Sequence, residues 1–108
     1  LADGIGLTNN RTGVEMAKVE EPAVWVFCGN NATFPSAVFS QRKDAEEWIS
    51  RHELSGTLTA YPIDKPAYDW AIETGSFEPK KPKHKTSEFI QKFSSASQEH
   101  YHYTKGER

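Results

Sequence analysis

The chain holds one cysteine in 108 residues, Cys28, which excludes an internal disulfide. Its place at the end of an apolar run predicts a buried, inert thiol. No apolar run approaches the roughly 20 residues that span a bilayer, and the opening residues lack the basic-then-apolar order of a secretory leader. A cytoplasmic protein with no membrane partner is therefore expected. A broad basic face is lacking too: formal net charge is -2, with six Lys/Arg against twelve Asp/Glu in residues 1–79 and seven against three in 80–108. Binding of duplex nucleic acid needs the opposite balance, so nucleic acid is not the expected partner. Gly29-Asn30-Asn31 lacks the glycine spacing of a phosphate-cradling loop, and no internal repeat occurs.

What is present suits one thin-cored domain: 36% hydrophobic residues and a mean hydropathy of -0.72. Residues 1–22 follow neither a period of two nor one of about 3.6, which predicts a flexible arm outside the core. Gly13-Val14-Glu15 admits purine-rich, ribosome-binding-site-like codons, making Met16 the expected natural start. Ala23 to Cys28 is apolar throughout, the pattern of a central strand covered on both faces. After a Gly/Asn/Pro loop, Ala37 to Phe39 predicts a short antiparallel partner. Ser40 then predicts the cap of a helix running to His52, with Ala45, Trp48, Ile49 and His52 inward.

Leu54-Ser55-Gly56 is read as the helix stop, and Thr57 to Ile63 alternates as a third strand with Leu58 and Ala60 on one face. Asp64 predicts the cap of a second helix, with Pro66 in its first turn, Ala67, Trp70 and Ala71 inward, and Gly75 as its stop. Residues 77–85 (FEPKKPKHK) predict an exposed Pro/Lys linker. Thr86 or Ser87 then caps a last helix carrying Phe89, Ile90 and Phe93. Glu99 to Thr104 predicts an edge strand with Tyr101 and Tyr103 on one face and His100 and His102 on the other, and 105–108 form a tail. The expected fold is α+β: one domain over 23–104, with a three- to four-stranded, mainly antiparallel sheet packed against one main helix, and two shorter helices on its rim or opposite face.

Residues that carry chemistry are few. His100 and His102 share a strand face and are of a zinc-binding type, but two ligands do not make a site. His52 and His84 would have to converge on them, yet His52 fits the inner face of a helix and there is no second cysteine, so neither metal nor cofactor is expected. Ser40-Gln41-Arg42-Lys43 matches S-x-x-K formally, yet K-T-G and S-D-N are missing, and a helix start accounts for it. Lys80, Lys81, Lys83 and Lys85 form a solvated run that, with Phe77, has the residue types to hold phosphates and unpaired bases. Asp64, Glu46 and Glu47 read as a cap and an outer helix face; Asp69, between Tyr68 and Trp70, is the better candidate for a partly buried carboxylate with a structural role. Aromatics make up 12% of the chain, more than a thin core encloses. Trp25, Trp48 and Trp70 take inward positions, leaving Phe34, Tyr61, Tyr101 and Tyr103 as a recognition patch.

The segments VWVFCGNNATFPSAVFS, AEEWISRHELSGTLTAYPID, YDWAIETGSF and SASQEHYHY resemble a family of short bacterial proteins of unknown function, over about residues 23–104. That family is similar to no enzyme class. Comparable small domains occur among immunity proteins of bacterial toxin systems and in mobile gene cassettes, so the resemblance implies a binding role and supplies no site residues. The expected function is a non-enzymatic, cytoplasmic protein-binding module whose partner is a protein, in its specific form an immunity-type inhibitor of a bacterial toxin. Its binding residues are Phe34, Tyr61, Asp69, His100, Tyr101, His102 and Tyr103. The alternatives are a small-ligand or nucleotide-binding domain, enzymatic or not, built on Gly29 to Ser36, and a cassette-borne adaptor homodimer.

Overall fold

A computed structural model describes residues 16–20 and 22–108. Four strands, β1 (Ala23–Gly29), β2 (Ala37–Phe39), β3 (Gly56–Pro62) and β4 (His100–Tyr103), form one antiparallel sheet in the order β2-β1-β3-β4. Between them lie α1 (Arg42–Arg51), α2 (Ala67–Glu73), a 3₁₀ turn (Pro82–Lys85) and α3 (Ser87–Gln91). The fold is the small α+β class that the sequence pattern implies.

Register decides the faces. Trp25 lies opposite Ala60 and Phe39, Phe27 opposite Leu58, and Leu58 opposite Tyr101. This face carries α1: Phe27, Ala45, Ile49, Leu58 and Tyr103 make one buried cluster, with Trp25, Phe39, Trp48, Leu54 and Tyr101 packed against it. Burying side chains such as Ile49 and Leu58 contributes roughly 1.5–3 kcal/mol each. A second cluster, Val19, Ala60, Trp70 and Ala71, seats α2 on the same face through Ala60. The expected placement of the short helices is thereby corrected for α2, because the small Ala60 leaves room for the Trp70 indole beside α1. The double cover expected for β1 is corrected as well. Val24, Val26 and Cys28 alternate onto the other face, are half-buried only, and belong to neither cluster.

Helix ends differ from expectation for conformational reasons. The cap of α1 is Gln41 in an extended conformation, without a side-chain hydrogen bond, so Ser40 does not cap it. At the other end Glu53 takes the left-handed conformation (φ 53°), its amide donating to the Ser50 carbonyl and the Leu54 amide to that of Ile49. This pair of bonds is a Schellman stop, with Leu54 packed on the Ile49 cluster. It frees Gly56 to begin β3 and leaves His52 exposed rather than inward. Asp64 sits in a left-handed turn (φ 63°) and Pro66 occupies the cap of α2, so Asp64 is not the cap. Gly75 (φ 80°) stops α2 and Thr86 caps α3, accepting the Phe89 amide at 3.2 Å, both as expected.

Three segments expected outside the core touch it. Residues 1–15 of the predicted arm, including the stretch before the proposed Met16 start, lie outside the described residues. Ala17, however, donates to the Ser97 carbonyl at 2.6 Å, and Val19 is 7% exposed. The 77–85 segment keeps its lysines in water but is not a free linker: Phe77 and His84 are half-buried against Phe89 (5.7 and 4.9 Å between ring centres), and the Tyr68 hydroxyl donates to the His84 carbonyl at 2.7 Å. The final turn docks too, with the Gly106 amide donating to the Leu54 carbonyl at 2.8 Å.

Candidate functional site

Among the described residues no helix covers the second face of the sheet, and the side chains of this uncovered face follow from the register. Val26 lies between Val38 and Thr59, Val24 opposite Tyr61, Cys28 opposite Thr57, and Thr57 and Thr59 opposite His102 and His100. The result is a valine centre flanked by threonines, with imidazoles at the β4 edge. Val38 is 62% exposed, and Phe34, in the loop between β1 and β2, is 76% exposed.

The two imidazoles lie side by side, 5.2 Å between ring centres and at 90° to each other. His100 Nδ1 is 2.7 Å from the Gln98 carbonyl, which makes that nitrogen the donor. His102 Nδ1 is 3.3 Å from the Thr57 hydroxyl. Among the described residues no third His, Cys, Asp or Glu joins them in a metal-sized group. Two imidazoles without further ligands recognise polar groups by hydrogen bonding.

On the helix face the alternate residues of β4 build a polar brace to α1. The Tyr101 hydroxyl accepts from Arg42 Nη1 at 2.7 Å and donates to Glu99 Oε2 at 2.5 Å, while Arg42 lies 3.4 Å from the same carboxylate. The Tyr103 hydroxyl donates to Glu46 Oε2 at 2.5 Å. Arg42 and Arg108 stand 4.0 and 3.9 Å from Glu46, and both guanidinium groups lie over the Tyr101 ring, at 4.8 and 4.6 Å. Burial, then the hydrogen bond and charge of Glu99, push the Tyr101 hydroxyl above its usual range. Burial and Glu46 do the same, more strongly, to Tyr103. Both phenols thus stay protonated as donors, and each carboxylate is held by a hydroxyl and an arginine. A cleft of about 420 Å³, lined by Val19, Trp25, Arg42 and Glu99, opens beside the brace.

The predicted binding residues are not brought together as one patch. Tyr103 is 5% exposed and belongs to the core, because its ring completes the Ile49 cluster. Tyr101 is half-buried in the brace, and Tyr61 lies on the uncovered face at the end of the sheet away from Phe34. Asp69 is exposed in the first turn of α2 instead of partly buried. Sequence reading missed Arg42, Glu46 and Glu99. The available signal was the four-residue spacing of Arg42 and Glu46 on the helix edge facing two tyrosines at strand spacing.

No curated protein and no solved structure matches the chain. A family model described as "Domain of unknown function (DUF7710)" matches residues 24–108, a span that takes in the sheet, the brace and all three helices. The chain belongs to the DUF7710 family.

Proposed function

We propose that this chain is a non-enzymatic module that binds a protein partner through the uncovered face of its sheet. One observation carries the reading: α1 and α2 both seat on the Trp25–Leu58 face, while Val24, Val26, Val38 and Tyr61 face the other way, where no helix or strand lies over them among the described residues. Apolar strand residues left open beside polar neighbours mark an interaction surface. Threonine hydroxyls and imidazoles around the valines supply the polar rim that such surfaces carry. The charged groups of the brace are all engaged with one another, which supports a structural rather than a chemical task for them.

In its narrower form the partner is a bacterial toxin that the module neutralises. The test is affinity capture with the wild-type chain and with Phe34→Ser/Val38→Lys, two exposed positions whose replacement leaves the core intact. Products of neighbouring genes serve as bait partners. Stoichiometric retention by the wild type, lost in the double variant, is expected. Equal retention by both, or retention of none, refutes the reading; retention only of the chain itself, seen as a dimer by light scattering, replaces the partner by a second copy.

A further inference from the structure

Between α2 and α3 the structure holds a second aromatic assembly, which leans on the Trp70 cluster through Phe77 and Phe93. The rings of Phe77, Phe89 and Phe93 lie 5.7, 5.1 and 6.0 Å apart, and none is fully buried. Their free faces floor a cavity of about 620 Å³. That volume is in the range of small-molecule sites, which are typically apolar with a few placed polar groups. The floor is fixed from behind: Tyr68 stands edge-on to Phe93 at 5.4 Å, and its hydroxyl holds the 3₁₀ turn through the His84 carbonyl. Thr86 locks the entrance of α3 by accepting the Phe89 amide and donating to the Lys83 carbonyl at 2.8 Å.

The rim sets the charge of what fits. Lys83, Lys92 and Glu88 line the cavity together with Ser76, Ser94 and Ser95. Residues 76–96 contain five lysines and two glutamates. Both glutamates are engaged, Glu88 with Lys92 at 2.8 Å and Glu78 with Lys80 at 3.8 Å, whereas Lys83 has no carboxylate partner among the described residues. An apolar floor of aromatic rings, two of them stacked (Phe77 and Phe89, 22° between planes), accepts a further ring. The surplus ammonium of Lys83 at its edge attracts a negative charge, and Lys92 is shared between that charge and Glu88. A cationic ligand is opposed by the same lysines.

We infer that this cavity is a binding site for a small aromatic anion, its ring on the Phe77–Phe89–Phe93 floor and its acid group at Lys83 and Lys92. Aryl carboxylates and nucleoside monophosphates share that chemistry. The site uses no residue of the uncovered sheet face, so it stands or falls apart from partner binding.

The experiment is an amide-detected NMR titration of the full chain with 2-naphthoate and with adenosine monophosphate, and with 2-naphthylmethanol as the uncharged control. Saturable shifts centred on Phe77, Phe89 and Phe93 are expected with at least one acid, and the acid that binds identifies a carboxylate or a nucleotide ligand. Lys83→Ala/Lys92→Ala, both exposed positions, weakens that Kd about fivefold to tenfold while leaving the spectrum otherwise native, as expected for two screened charge contacts. The neutral alcohol binds more weakly by a similar factor. Absence of saturation with both acids at millimolar concentration overturns the assignment. So do shifts that map elsewhere, equal binding of the alcohol, and an unchanged Kd in the lysine variant.

Discussion

A methyl group at Gly56 tests the register on which both faces of the sheet depend. Gly56 pairs with Gly29 across β1 and β3, yet the two glycines occupy different spaces. A Cβ on Gly56 would stand 2.4 Å from the Cys28 carbonyl oxygen, 2.7 Å from the Gly29 Cα and 2.8 Å from the Phe27 ring. Ordinary C···O contact begins near about 3.3 Å, so β1 must retreat by roughly 1 Å at this point. The first two atoms are backbone, which cannot rotate aside. The ladder at the Gly29 end then loses one or two hydrogen bonds, about 1 kcal/mol each, and Phe27 is displaced from the core at a cost of about 1–3 kcal/mol. Gly56→Ala is expected to destabilise by about 3 kcal/mol, or about 10–20 °C in Tm for a domain of this size.

Gly29→Ala is the internal control, since its Cβ meets nothing closer than Ser55 O at 3.7 Å and Phe27 Cε2 at 3.9 Å, both ordinary contacts. It lies at a non-positive φ, so the reduced freedom of the unfolded chain leaves it neutral or stabilised by up to about 1 kcal/mol. Urea unfolding followed by tryptophan fluorescence and far-ultraviolet dichroism reads both. Failure of Gly56→Ala to fold while Gly29→Ala folds is the extreme form of the expected result. Agreement of the two variants within 0.5 kcal/mol (about the resolution of such a comparison) would falsify the register argument.

Glu53→Gly removes the strain of a left-handed non-glycine residue at the α1 stop and is expected to stabilise by about 0.5–1 kcal/mol in the same denaturation assay; a loss would contradict the Schellman assignment. Tyr103→Phe keeps the buried ring but removes its hydrogen bond to Glu46, costing about 1.5–3 kcal/mol, and a neutral result would mean that the Glu46 contact contributes nothing. Both brace tyrosines have folded-state values raised above the unfolded value of 10.0. Folding therefore favours their protonated forms: that stability is complete below about pH 10, and is lost as pH rises through the folded values, because the unfolded chain releases the protons first. Urea midpoints measured from pH 8 to 11.5 should fall at the alkaline end, and less steeply in Tyr101→Phe/Tyr103→Phe; equal slopes would contradict the brace.

The elements themselves were legible because their signals are local. Alternation in Thr57 to Ile63 placed Leu58 and Ala60 on the buried face, Thr86 read as a cap, and the β4 alternation separated tyrosines from histidines as observed. Ala23 to Cys28 misled because hydropathy records that Val24 and Val26 are apolar, not whether another layer lies over them. An open face of valines and a covered one have the same sequence. The α1 stop was read at Leu54-Ser55-Gly56, whereas Glu53 takes the left-handed conformation that ends the helix and Gly56 answers a steric demand from the next strand. The brace was beyond local reading: Arg42 and Tyr101 are 59 residues apart, and Glu46 and Tyr103 are 57 apart. The phenylalanine floor was half legible, since Phe89 and Phe93 stand four apart, but α3 ends at Gln91, short of the Phe93 expected on it, and Phe77 joins them only because the Pro/Lys segment folds back.

The brace also explains how the uncovered face comes to have its composition. Among the described strands β4 pairs with β3 alone, so a one-residue slip would send every side chain to the other side. Its helix-side residues are not simple hydrophobes: Tyr101 and Tyr103 carry hydroxyls that must meet a partner when buried. Glu99, Arg42 and Glu46 stand where those hydroxyls arrive in the observed register. In the slipped register two imidazoles would enter the space beside Ile49 and Leu58, Glu46 would lose the Tyr103 hydroxyl and Arg42 the Tyr101 hydroxyl, each buried group left unpaired costing about 1–3 kcal/mol. Polar chemistry on the covered side therefore fixes which way His100 and His102 point. The ring positions at the β4 edge are consequently held by α1, through a strand that α1 touches only from behind.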